Sequence, residues 1–195
     1  MIKTNYFVLT GAMGAGKSAV LSALRAMDFR CIDEPARIVL KEQRQLKGES
    51  VPEKDPALFN TLMLEKMLGD HEGNLNVITP VIFDRGIPDL IAYAELLGTD
   101  KSKYEASAGE CRYNPLVFLF NAWEDIYCND DERKMSFQLA REFGENVGDI
   151  YRRLGYVTID VPFTSVQARA DFIAEKIAEI KYQIAKSKYQ RANNK

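Results

Sequence analysis

The sequence predicts an α/β protein: a five-stranded parallel sheet with helices on both faces. Two observations carry this. Five segments are nearly continuous apolar runs rather than clean alternations, as strands buried on both faces of a parallel sheet are. Stretches of helical periodicity separate them, so strand and helix alternate along the chain. The length, 195 residues, suits one compact domain with a core large enough to need no staples.

The strands are expected at "YFVLT" (6–10), "FRCID" (29–33), "VITPVIFD" (77–84), "LVFLF" (116–120) and "YVTIDV" (156–161). Pro80 cannot donate to a ladder, so the third strand proper should be "VIFD". After the first strand, Val20, Leu21, Leu24 and Met27 form one helical stripe. "PARIVLKEQRQL" follows the second strand and opens on Pro35, a favoured first helical residue. "ALFNTLMLEKML" comes next, and "PDLIAYAELLG" follows the third strand and closes at Gly98. A long pattern from about Asp131 to Leu154 precedes the fifth strand, and "SVQARADFIAEKIAEI" follows it. The domain is expected to span residues 1–180, with 181–195 a basic tail or helix end.

Composition excludes several classes. The net charge of −2 lacks the basic excess of a nucleic-acid binder. No apolar stretch approaches the length of a membrane span, and the N-terminus lacks the apolar core of a signal peptide, so a cytoplasmic protein is expected. Cys31, Cys111 and Cys128 are odd in number and have no CxxC spacing, which suggests neither disulfides nor zinc. The single histidine, His71, lies in the polar stretch "GDHEGN" and reads as a solvated loop residue.

Chemistry concentrates in four segments. Residues 11–18, "GAMGAGKS", match G-x-x-x-x-G-K-[ST], a phosphate-binding turn, at every fixed position. Glycines let successive backbone N–H groups point inward as an anion nest, and the following helix adds its N-terminal dipole. Gly11, Ala12, Met13, Gly14, Ala15, Gly16, Lys17, Ser18 and Ala19 are therefore the expected nucleotide-binding stretch. Lys17 would reach the β- and γ-phosphates of ATP or GTP, and Ser18 would take part in a Mg²⁺ site. No guanine-reading N-K-x-D is present.

The third strand ends in Asp84, placed to help hold Mg²⁺, and Arg85 follows it at the edge where open α/β sheets bind ligands. Asp89 either contacts an acceptor or fills the first turn of the next helix. In "CIDEPAR" (31–37), Glu34 is either a base for an attacking hydroxyl or a helix cap, and Arg37 could hold the acceptor. In "NDDERKMSFQLAR" (129–141), Arg133 either closes over the triphosphate or lies on a solvated face. Trp123, the only tryptophan, either walls a pocket or belongs to the core rim.

The segments "EPAR" (34–37), "DRGIPD" (84–89) and "WEDIY" (123–127), together with the glycine turn, resemble the small AAA-type family of P-loop ATPases and kinases. More widely, the chain is similar to deoxynucleoside kinases, nucleoside monophosphate kinases and the ribosylnicotinamide kinase domain. That resemblance implies a three-layer P-loop fold with sheet order 2-3-1-4-5. It also implies Glu34 as the base, an acidic-Arg pair at Asp84 and Arg85, and a lid arginine near Arg133. The deoxynucleoside kinase pair reads Glu-Arg-Ser, whereas here it is Asp-Arg-Gly. The expected function is an ATP-dependent phosphotransferase using Mg²⁺ and a small-molecule acceptor. The alternative is a nucleotide-binding switch with slow hydrolysis. No nucleic-acid or membrane partner is expected, and a homodimer is left open.

Overall fold

The computed structural model describes residues 2–46, 48–127 and 135–193. Five strands form one parallel sheet: β1 (Tyr6–Gly11), β2 (Arg30–Ile32), β3 (Val81–Asp84), β4 (Leu116–Phe120) and β5 (Val157–Asp160). Their order is β2-β3-β1-β4-β5, so the chain leaves β1 to one side, fills it, and returns to the other. β1 lies at the centre, paired with β3 from Tyr6 opposite Val81 and with β4 from Val8 opposite Val117.

Strand alternation builds two cores. Tyr6, Val8, Val81, Phe83 and Val117 face one side, and Phe7, Leu9, Ile82, Phe118 and Phe120 face the other. The first side is covered by α2 (Pro35–Leu46), α3 (Pro56–Gly73), α4 (Pro88–Leu97) and α6 (Phe137–Arg153), with α5 (Ser102–Glu110) packed on α4. The second is covered by α1 (Lys17–Ala26) and α7 (Val166–Asn193), which pack on each other. Because both faces are covered, the strands need no polar side, which is why they read as unbroken apolar runs.

Several boundaries differ from expectation. β2 is confined to Arg30–Ile32, since it pairs with β3 alone at the sheet edge and Asp33 instead meets Arg25 at 2.6 Å. Helix α5 was not expected at all. Its only buried residues are Tyr104 and Ala108, a stripe too thin to show a period. Helix α3 continues five residues beyond the expected end at Leu68, to Gly73, and α7 continues beyond Ile180 to Asn193. Helix α6 begins at Phe137, and residues 131–134 of its expected first turns lie outside the described residues.

His71 is corrected. It is a helical residue, 5% exposed, and not a solvated loop residue. Its ring meets Tyr6 edge-on at 5.0 Å and Tyr113 at 5.7 Å. Burial pushes its pKa down, opposed by a hydrogen bond with the Arg112 backbone.

Helix α6 passes unusually close to the turn after β1. A Cβ at Gly144 would sit 2.8 Å from the Ala12 backbone nitrogen.

Candidate active site

The phosphate-binding turn leaves β1 at Gly11 and enters α1 at Lys17. Gly11, Gly14 and Gly16 all have positive φ, at 112°, 72° and 81°. At Gly11 the reason is doubly local: a Cβ would lie 2.3 Å from the Phe120 carbonyl oxygen, which accepts from Ala12 N at 2.8 Å. Gly16 is the N-cap of α1 and supplies no side-chain cap, so the helix N-terminus keeps N–H groups for an anion. The buried Lys17 ammonium folds back on the turn and donates to the carbonyls of Ala12 at 2.6 Å and Gly11 at 3.4 Å.

Ser18, in the first turn of α1, donates to Asp84 Oδ2 at 3.3 Å. The other oxygen, Asp84 Oδ1, is buried without a hydrogen-bond partner. A serine hydroxyl beside an uncommitted carboxylate oxygen is a donor set that fits a hard cation such as Mg²⁺. Among the described residues no three His, Cys, Asp or Glu side chains gather as a metal site, so such a cation would also draw on phosphate and water oxygens. Burial, and then the Glu34 charge, push the Asp84 carboxyl up to about 6, against the opposing pull of Lys17, Arg85 and the Ser18 hydrogen bond.

Arg85 follows β3 with φ 73°, a left-handed conformation costly for a residue with a side chain. Its backbone N–H is held by the Leu9 carbonyl at 2.9 Å. This turn aims the guanidinium inward, where Nε donates to Glu34 Oε1 at 2.9 Å, Nη1 to Asp89 Oδ1 at 2.8 Å and to the Gly11 carbonyl at 3.3 Å. All three side chains are buried. One planar fork thus ties the end of β3, the start of α2 and the phosphate turn together.

Asp89 does not reach an acceptor. It is fully buried and accepts from Thr10 Oγ1 at 2.7 Å, Tyr151 OH at 2.8 Å and Gly86 N at 3.1 Å in addition to Arg85. Each carboxylate oxygen already has two donors, which removes it from the surface available to a ligand.

Glu34 and Arg37 are placed otherwise. Glu34 Oε2 accepts from Arg37 Nε at 3.3 Å, and Arg37 is 42% exposed on its side chain. Both line a cavity of about 320 Å³ that runs from the phosphate turn, at Met13, outward between α2, α3 and α4. Its remaining walls are mostly apolar, built by Leu40, Phe59, Met63, Tyr93, Leu97 and Leu139. Asn60 also lines it; its amide nitrogen donates to the Leu90 carbonyl at 3.2 Å and leaves Oδ1 buried without a partner. None of these wall residues stands out in the sequence, because each reads as part of an ordinary helical stripe.

The "WEDIY" segment covers the turn. A Cβ at Gly14 would strike the Tyr127 ring at 2.6 Å, and one at Gly16 would meet Arg169 Nη1 at 2.9 Å and Ile126 Cδ1 at 3.2 Å. Arg169, not singled out by sequence, reaches from α7 to donate to the Ala15 carbonyl at 3.1 Å. Arg133 lies outside the described residues.

A family model described as an AAA domain matches residues 6–169. The chain belongs to this AAA-domain family. No curated protein matches the sequence. Among solved structures, this AAA-domain protein is similar to deoxyadenosine kinase from M. mycoides, crystallised with the products dCMP and dCDP, with TM-score 0.65 at 13% identity over 89% of this chain and 99% of that one. It is similar to shikimate kinase from Acinetobacter baumannii in complex with shikimate, with TM-score 0.61 at 16% identity over 91% and 94%. NadR protein in complex with NR aligns with TM-score 0.59 at 17% identity over 88% of this chain but 51% of NadR. At these identities the likeness shows the fold, a P-loop kinase fold with the same sheet order as observed here. Among the described residues no helix is long and apolar enough to cross a membrane.

Proposed function

We propose that this AAA-domain protein is a phosphotransferase that moves the γ-phosphoryl group of ATP or GTP to a hydroxyl of a small molecule. One observation carries this reading. The carboxylate of Glu34 forms part of the wall of the cavity and is joined through Arg85 to the carbonyl of Gly11 in the phosphate turn. Donor cradle and acceptor cavity therefore share a wall, and a carboxylate stands in it. A hydrolytic switch has no use for a 320 Å³ organic cavity at that wall.

The residues divide the work as follows. The turn amides, the α1 N-terminus and Lys17 bind the triphosphate. Ser18 and Asp84 would hold Mg²⁺, which would neutralise phosphate charge. Glu34 orients the acceptor hydroxyl and takes its proton as the new oxygen–phosphorus bond forms and the bridging bond to the nucleoside diphosphate breaks. Arg85 fixes the position of Glu34, and Asp89 fixes Arg85. Arg37 sits at the cavity wall to bind a polar part of the acceptor, while the apolar walls fit an acceptor with a hydrophobic body. Most of the rate comes from position and electrostatics, not from a covalent step. Arg133 is proposed to add positive charge over the donor.

The test is release of ADP from Mg-ATP in the presence of a panel of alcohols, nucleosides and nucleotides. Acceptor-dependent turnover is expected, with a loss of roughly 10²–10⁴-fold in Glu34→Gln and intact nucleotide binding. Tight nucleotide binding with no stimulation by any acceptor, and indifference to Glu34→Gln, would sink the reading. In Lys17→Ala, triphosphate binding should disappear.

A further inference from the structure

Tyr151 stands behind the active site rather than in it. It belongs to α6 and is fully buried, so it can touch neither a bound nucleotide nor the content of the cavity. Its hydroxyl donates to Asp89 Oδ2 at 2.8 Å. Burial, and then the Asp89 charge, raise its pKa well above the ordinary phenol value, so the hydroxyl keeps its proton and is a standing donor. Room is made for it. A Cβ at Gly86 would lie 2.6 Å from the Tyr151 hydroxyl oxygen and 3.1 Å from Tyr113 Cε2. The ring is braced edge-on by Tyr156, with centroids 5.3 Å apart.

From Asp89 a line of contacts runs to the carboxylate in the cavity wall. Asp89 Oδ1 accepts from Arg85 Nη1 at 2.8 Å, and Arg85 Nε donates to Glu34 Oε1 at 2.9 Å. Helix α6 borders the line a second time, where the Phe143 ring centroid lies 5.9 Å from the Arg85 guanidinium carbon. The Asp89 oxygens are evenly used: Thr10 and Arg85 meet Oδ1, and Gly86 N and Tyr151 meet Oδ2. Without the phenol, Oδ2 keeps only the Gly86 N–H, at 3.1 Å. The carboxylate then turns to take more of Arg85. A guanidinium is a rigid plane, so drawing Nη1 toward Asp89 swings Nε away from Glu34.

We propose that Tyr151 is a positioning residue for Glu34: acting through Asp89 and Arg85, it fixes the orientation of the carboxylate that receives the acceptor's proton. The inference rests on the phosphotransferase reading above and deepens it. Two features support it. Packing alone would be served by phenylalanine, yet the chain carries a buried hydroxyl here and a glycine that leaves space for it. The hydroxyl also falls on the one carboxylate that steadies Arg85 from the side opposite Glu34. A general base is sensitive to such support, since a misplacement of about 1 Å can cost on the order of 10²-fold in rate.

The test uses the full chain, in which Tyr151→Phe removes the hydroxyl oxygen and keeps the ring. One reading needs no acceptor: the Arg85 Nε–H signal in a proton–nitrogen NMR spectrum. Its exchange with water should be at least about tenfold faster in the variant. The Trp123 indole N–H, bonded to Asp125, should keep its position in the same spectrum and show the fold intact. The other reading is ADP release from Mg-ATP with the acceptor that gives the fastest turnover in the panel. The kcat should fall roughly tenfold, with KM for ATP and for the acceptor within about twofold of the parent. In a Glu34→Gln background the same substitution should change kcat by less than about twofold, because Tyr151 acts through Glu34. An unchanged Arg85 signal, or equal kcat losses in the two backgrounds, overturns the proposal. A parent without acceptor-dependent turnover would instead remove the phosphotransferase reading, and the Arg85 signal would still decide whether Tyr151 holds the Arg85–Glu34 pair.

Discussion

Arg85 Nε lies 2.9 Å from Glu34 Oε1, joining residues 51 apart in sequence, and both side chains are buried. The pair is tolerated because Nε and Nη1 of the guanidinium both meet acceptors, although Nη2 is buried without one. The same guanidinium meets Asp89, and Asp89 in turn takes hydrogen bonds from Thr10 and Tyr151. A buried charge with a satisfied neighbour is tolerated, whereas one stripped of its partner is not.

Removing that partner gives the first prediction. Arg85→Gln should destabilise the protein by about 3–5 kcal/mol, because it removes the buried cation that Asp89 and Glu34 share. Arg85→Lys should lose less stability, yet still fall short, since one ammonium cannot span both carboxylates as a planar fork does. Urea unfolding midpoints of the two variants provide the comparison.

A second prediction concerns Gly11. Its φ of 112° and the Phe120 carbonyl 2.3 Å from any Cβ leave an alanine nowhere to go. Backbone, not a flexible side chain, is what it would strike. Gly11→Ala should cost about 3 kcal/mol or more in thermal or urea denaturation. A variant with parental stability would show that the turn has room the geometry denies.

The cavity gives a third. Leu97 lines its outer wall and is 40% exposed, so a larger ring there can be accommodated without disturbing the core. Leu97→Trp should raise KM for the acceptor by roughly tenfold while leaving nucleotide affinity as it was. Equal losses in both would mean that donor and acceptor do not occupy separate compartments.

His71 sets a pH dependence. Its pKa is lowered in the fold, so below the unfolded value of about 6.5 the unfolded chain binds more protons than the native one. Its contribution is therefore present above that pH and lost as the pH falls toward the folded pKa, at up to about 1.4 kcal/mol per pH unit. Asp84 acts in the opposite direction, because its carboxyl is raised in the fold. The difference between the parent and His71→Gln isolates the histidine. Between pH 7.5 and 5.5 the parent should lose stability relative to the variant, and parallel curves would contradict the assignment.

What could be read in the sequence, and what could not, follows from range. Strand β4 and helix α2 match their expected bounds because each carries its own signal: an apolar run in one, a proline start in the other. The phosphate turn is local too, eight residues with a fixed pattern. The burial of His71 depends on Tyr6, 65 residues away, and the occupation of Asp89 depends on Thr10 and Tyr151, 79 and 62 residues away. No window along the chain contains those partners. Helix α5 was invisible for a different reason, since two buried residues among nine do not make a period. Arg169 had no distinguishing mark either, being one basic residue in an amphipathic helix.

Gly144 has a mechanical consequence. With no side chain between them, α6 and the backbone at Ala12 are in direct contact. Two stiff bodies that touch without a cushion transmit displacement from one to the other. A shift of α6 (Phe137–Arg153) would therefore be felt at the phosphate turn itself, as a push-rod is felt at its far end.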